Sequence, residues 1–313
     1  MIVRDRPSGW RLFLVLRGSV LQRIWPTMLL NVALATVVTA AHGNLFSVKI
    51  TLTAIPFTLM GLPLAIFLGF RNTSAYDRYW EGRKLWGEII HRSRSLSRQC
   101  QAWIQGYGPI VAAHRDSDAR VRIVHRAIAF AHALRLRLRG QSDEALLRQW
   151  LPADDFAAVR AACDPTNVIL LGMGRDLGEC VRAGRVDPCL AASIDDTLSS
   201  LAAAAASCER IKNTPIPFSY TLLLHRTAYM YCFLLPFGLV DTTGFMTPFV
   251  VGIVAYTFFG LDALGDEIEE PFGLESNDLP LDTLCRAIEI SLRESLGEKN
   301  LPAPIGANNF LLT

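Results

Sequence analysis

Signatures of common enzyme chemistry are missing from this chain of 313 residues: H-E-x-x-H, G-x-S-x-G, a Walker A loop, C-x-x-C and any paired Cys–His arrangement. Their absence excludes the usual routes to zinc hydrolysis, serine acyl transfer and P-loop phosphate chemistry. The seven cysteines (Cys100, Cys163, Cys180, Cys189, Cys208, Cys232, Cys285) are scattered, which argues for reduced thiols rather than a disulfide framework. No basic patch interleaved with aromatics is present and the net charge is only +2, so nucleic acid is excluded as a partner. Asp, Glu, Lys and Arg make up only 19% of the chain, and the stretches 26–41, 51–70 and 242–261 contain none of them. A proton-coupled transporter keeps ionisable groups near the bilayer midplane, so their lack points to passive conduction.

What is present is apolar surface. The chain is 51% hydrophobic and its mean hydropathy is positive, which places it in the membrane class. The uncharged run TLTAIPFTLMGLPLAIFLGF, from Thr51 to Phe70, is long enough to cross a bilayer and leads straight into RNTSAYDRYWEGRKLWGEII. Pro26 to Ala41 reads as a first span, and a short connection over 42–49 makes the two an antiparallel hairpin. Thr227 to Val240, extended back through Tyr220, and Thr242 to Leu261 read as a third and a fourth span. That extension sets His225 and Arg226 near one interface, where such side chains snorkel or pair.

Arginines recur through the N-terminal MIVRDRPSGWRLFLVLRGSVLQRIW, with Trp10 and Trp25 suited to headgroup depth, which predicts an interfacial helix rather than a cleaved signal peptide. Basic residues crowd both sides of the first two spans, whereas 42–49 holds only Lys49. The positive-inside rule therefore puts both flanks in the cytoplasm.

The expected organisation follows: an interfacial helix at 1–25, two membrane helices in 26–70, a cytoplasmic helical domain at 71–215, two more membrane helices in 216–261, and a cytoplasmic acidic segment and tail at 262–313. Within 71–215, Gly106 to Pro109, Gly140, Pro152, Asp164-Pro165, Gly184 and Asp187-Pro188 break the chain into about five helices. The alternating arginines of RVRIVHRAIAFAHALRLRLRG read as a solvated or subunit-contacting face. VILLGMGRDLG, from Val168 to Gly178, imitates a dinucleotide fingerprint, but its glycine spacing is one residue too long and no βαβ unit surrounds it.

Two features remain as candidate sites. Leu62, Ile66 and Phe70 fall on one helical face, so copies of this helix around an axis stack three apolar rings into a narrow neck; spacing alone also suits a face turned to lipid or to a neighbouring helix. After the fourth span, DALGDEIEEPFGLESNDLPLD concentrates carboxylates. Asp262, Asp266 and Glu270 have the spacing for a Mg²⁺-dependent membrane enzyme, and the plain alternative pairs this acidic segment with the arginines of Arg71 to Arg98.

RGSVL at Arg17 to Leu21, PFTLMGLPLAIFLGFRN with YDRYWEGRKLWG from Pro56 onward, IPFSYTLLLHRTAY at Ile216 to Tyr229 and TFFGLDALGDEIEEPFGLESNDLPL from Thr257 to Leu281 resemble a bacterial bestrophin homologue over nearly the whole chain. The resemblance implies an all-α membrane protein and an ion channel rather than an enzyme. It implies a homopentamer around one central pore, each subunit giving four transmembrane helices continuous with a large cytoplasmic helical part. It implies an inner-membrane location with both termini cytoplasmic, and it maps the neck onto Leu62, Ile66 and Phe70. It further implies a lower constriction, sought here at Leu177, Cys180 or Val181. Eukaryotic members clasp calcium after P-F-G, and Glu275 and Asp278 fall at matching positions; the unbroken acidic run is missing here, so no cofactor is expected. Prokaryotic members of that kind are associated with monovalent cations, so Na⁺/K⁺ conduction is the expectation, with chloride as the alternative.

Overall fold

The computed structural model describes residues 1–4, 9, 15, 18–45, 48–49, 53–106, 108–111 and 117–313. Residues 5–8, 10–14 and 16–17 of the expected interfacial helix at 1–25, Arg17 of RGSVL among them, and the start of the second span at Thr51 and Leu52 lie outside the described residues. The chain forms two compact units: Arg4–Tyr79 with Pro215–Pro271, and Met1–Val3 with Trp80–Thr214 and Phe272–Thr313. Numbered along the chain, the helices are α1 (Leu21–Ala40), α2 (Ala54–Trp103), α3 (Ala119–Arg139), α4 (Glu144–Arg148), α5 (Ala153–Ala161), α6 (Pro165–Arg182), α7 (Pro188–Asn213), α8 (Phe218–Thr243), α9 (Thr247–Glu269) and α10 (Leu281–Ser295). A two-strand antiparallel pair, β1 (Asn44–Leu45) and β2 (Val48–Lys49), joins α1 to α2.

In the apolar unit, the stretches long and apolar enough to cross a membrane are α1, the part of α2 from Ile55, and the pair α8 and α9. Helix α2 runs 50 residues without a break, about 75 Å at the α-helical rise. Neither Phe70 nor Arg71 interrupts it, because the residues on both sides keep the backbone ladder helical while composition turns from apolar to charged. Between α8 and α9 the chain turns through a 3₁₀ turn at Gly244–Met246, and Gly244 takes φ 54, a left-handed setting that favours glycine. Small residues bring these helices close. Ala255 and Ala263 pack with Ile24, Cys232 and Phe259, while Ala35 packs with Phe57, Leu235 and Val251. A Cβ on Gly238 would stand 2.6 Å from Phe57 Cδ2, so only glycine admits that ring.

The second unit is a helical bundle. Helix α3 is its centre, with Val121, Ile123, Val124, Ile128, Phe130 and Leu134 fully buried. This corrects the expectation of a solvated or subunit-contacting face for the arginine-alternating segment. Its arginines are turned to carboxylates distant in sequence: Arg122 and Arg126 to Asp176, Arg135 and Arg139 to Asp282. Aspartates start the surrounding helices, the carboxylates of Asp118, Asp164 and Asp187 accepting the N–H groups of Arg120, Asn167 and Cys189. The glycines of the Val168 to Gly178 segment lie inside α6, with no loop for a phosphate to enter.

Candidate ion pathway

The rotation of α2 within the apolar unit is set by what it buries. Phe57, Leu64, Leu68, Arg71 and Ala75 are enclosed, and Leu64 and Leu68 pack with Leu224 and Ala228 of α8. At Gly61 a Cβ would stand 3.0 Å from Tyr231 Oη, so the approach of α8 is close there too. The opposite side of α2 is open, and Leu62, Ile66 and Phe70 are 67%, 47% and 62% exposed on the subunit. The three expected neck residues therefore share one outward apolar face. Phe67 joins them, its ring 6.4 Å from that of Phe70 and 6.4 Å from that of Tyr220, whose hydroxyl donates to the Phe67 carbonyl at 3.2 Å.

Immediately after Phe70 comes a buried ionic cluster. The Arg71 guanidinium has 0% side-chain exposure and donates from Nη1 to Asp262 Oδ1 at 2.8 Å. From Nη2 it pairs with Asp266 and lies 3.7 Å from Glu269 Oε2. Asp262 is bound from its other side by His225, Nδ1 to Oδ2 at 2.7 Å, and Asp266 meets Arg23 at 3.6 Å. Glu269 accepts the Ile216 N–H at 2.9 Å. The carboxylates on α9 are thus engaged by protein donors. A guanidinium stands where Mg²⁺ would have to bridge Asp262 and Asp266, and Glu270 lies exposed at the helix end. That arrangement corrects the Mg²⁺ alternative and realises the plain one, pairing with an arginine that follows the second apolar run. The cue in the sequence is that first arginine after an uncharged span, matched by carboxylates at i, i+4 after another.

In the bundle, Leu177 and Cys180 are buried and Val181 is half-buried. Of the three residues named for a lower constriction, Leu177 and Cys180 are thus enclosed by the subunit's own helices, while Val181 keeps part of its surface open. The outward residues of α6 are Asn167, Leu171, Arg175, Glu179 and Arg182. Its inward face is held by Asp176, which Arg122 Nη2 meets at 2.7 Å and Arg126 also binds. Burial pushes the Asp176 carboxyl up, against the pull of Arg122 and Arg126. Burial likewise pushes the Cys180 thiol up, and takes Cys208 and Cys285 to about 12, so these are inert packing groups. At the expected clasp positions, Glu275 is exposed and Asp278 is buried, its Oδ2 accepting the Glu275 N–H at 2.7 Å in a local turn. Among the described residues no group of three or more His, Cys, Asp or Glu side chains is placed to hold a metal ion.

Comparison with known proteins brings these features together. Residues 1–294 match the family described as Bacterial/Fungal Bestrophin protein. The chain is 43% identical over 305 residues to the voltage-dependent anion channel-forming protein YneE of Escherichia coli, covering 97% of each. It is 45% identical over 307 residues to a voltage-dependent anion channel-forming protein of Mesorhizobium japonicum, covering 97% of this chain and 96% of that one. The fold superposes with a TM-score of 0.81 on the crystal structure of a bacterial bestrophin homologue from Klebsiella pneumoniae, 39% identical over 88% of this chain and 100% of that one. Relatives named for anions overturn the expectation of Na⁺/K⁺ conduction. That expectation rested on the missing acidic run after P-F-G, a local departure that carries no information about the charge facing an ion path.

Proposed function

This chain belongs to the bestrophin family and is a multi-pass helical membrane protein, and from that premise we propose that it is an anion channel, not an enzyme. It works as a homopentamer in the bacterial inner membrane, with both termini cytoplasmic. Residues 26–70 and 216–261 form the spans, while 1–25 lies at the interface and 71–215 and 262–313 lie in the cytoplasm. Leu62, Ile66 and Phe70 of each subunit ring the axis and gate the path by constriction and dewetting. The observation that carries this reading is an outward, uncharged face of α2 in a chain about 40% identical over its length to proteins named as anion channels. Apolar rings do not choose between ion signs. Selectivity must come from charge elsewhere, since Asp262 and Asp266 are both engaged by Arg71.

Reconstituted in liposomes under a KCl gradient, the protein should pass current whose reversal potential moves toward the chloride equilibrium potential. Movement toward the potassium potential overturns anion selectivity. Replacing Leu62, Ile66 and Phe70 together by Ala should raise single-channel conductance severalfold, and an unchanged current removes the neck assignment.

A further inference from the structure

We infer that Arg71 is the positioning residue of the neck: bound to Asp262, it sets the rotation of α2 and so the direction in which Leu62, Ile66 and Phe70 point. The inference rests on the neck reading above. With 3.6 residues per turn, Arg71 stands roughly 180° round the helix from Leu62, 140° from Ile66 and 100° from Phe70. Whatever anchors the guanidinium on one side therefore aims the apolar face on the other. Leu64 and Leu68 hold the same side by apolar contact, which is non-directional and tolerates a small turn of the helix. The guanidinium is different. Its fork is planar, and Nη1 reaches both the Asp262 carboxylate at 2.8 Å and the Asp262 carbonyl at 3.4 Å, while Nη2 takes Asp266.

The receiving helix is fixed in turn. A Cβ on Gly265 would stand 2.5 Å from Asn72 Oδ1 and 3.4 Å from Arg71 Cζ, so a larger residue there would have to displace the Asn72 amide beside the guanidinium. His225 holds Asp262 from the far side at 2.7 Å. Rotating α2 pulls a fully enclosed cation away from its carboxylates and leaves a buried charge uncompensated. The neck's aim is thereby coupled to α8 and α9 through one residue adjoining Phe70.

The test compares Arg71→Lys and Asp262→Asn in the full-length reconstituted channel, each in the natural neck and in the neck carrying L62A, I66A and F70A. Lysine keeps the charge but loses the fork, and asparagine keeps the shape but loses the charge. In the natural neck each variant should make brief closures more frequent, roughly two- to thirtyfold, with the reversal potential unchanged. In the alanine neck the same substitutions should have no effect on closures, because no apolar ring remains to be aimed. An equal effect in both necks, or none in either, overturns the inference while leaving the neck in place. An alanine neck that conducts as the natural one overturns the neck reading and this inference together. Should either variant fail to assemble, His225→Gln, which loosens Asp262 from its far side, supplies the same comparison.

Discussion

Arg71 in the apolar unit and Arg126 in the helical bundle are both buried guanidinium groups bound to carboxylates, yet their surroundings are built differently. Arg71 draws its partners, Asp262, Asp266 and Glu269, from the single helix α9. Arg126 draws Asp155 from α5 and Asp176 and the Gly172 carbonyl from α6, and Asp176 is shared with Arg122. Apolar side chains show the same contrast. The apolar unit displays Leu29, Val37, Leu59, Leu62, Leu223 and Phe249, whereas α3 of the bundle hides Ile123, Ile128 and Phe130. In the apolar unit a single cluster on α9 holds the buried cation; in the bundle, paired charges are numerous and back one another up.

The sharpest way to break this comparison is to remove each guanidinium. Arg71→Met leaves Asp262 without its enclosed counter-charge and should cost about 3–5 kcal/mol, read as thermal unfolding in detergent. Arg126→Met should cost clearly less, because Asp176 keeps Arg122 at 2.7 Å. Equal losses would show that the two clusters are equivalent.

A second prediction sharpens the bundle side. His132 is buried beside Arg135 and Arg286, and burial with those cations lowers its pKa from 6.5 to about 4. As pH falls, the unfolded chain takes up this proton first. Stability from this group is therefore full above about pH 6.5, is lost between 6.5 and 4, and levels off below, amounting to about 3 kcal/mol. Unfolding midpoints measured across that range should flatten in His132→Leu; an equally steep profile in the variant would place the pH dependence elsewhere.

The smallest effect belongs to the exposed pair of Arg210 and Glu81, 2.5 Å apart with side chains 62% and 46% exposed. Glu81→Ala should shift stability by about 1 kcal/mol or less, and less still at high salt, as screening of solvated charges requires. A larger loss would mean that this surface pair is enclosed in the assembled protein.

Much of the architecture is legible in residue order because it depends on local composition. Apolar runs with few or no charges mark α1, the first part of α2, and α8 with α9. Gly140, Asp164-Pro165 and Asp187-Pro188 mark helix ends, since a left-handed glycine or an Asp cap followed by proline acts within a few residues. The face of Leu62, Ile66 and Phe70 is also local, a matter of helical spacing. Other features resist that reading. The alternating arginines of α3 look like a solvated face because their partners, Asp176 and Asp282, lie 54 and 147 residues away. Leu177 and Cys180 lie on a regular helix, and only the packing of α6 shows that this face is turned inward.

The sequence by itself determined that this chain is a helical membrane protein, where several of its helices start and stop, and which family it resembles, because hydropathy, capping and motif identity are properties of short stretches. Only the tertiary structure decided that Arg71 meets Asp262 across 191 residues, that the Leu62 face stays open, and that the α9 carboxylates are bound by protein donors rather than left to a metal. Those outcomes depend on which helix packs against which, and the close approaches at Gly61, Gly238 and Gly265 that set this packing have no signature until the helices are brought together.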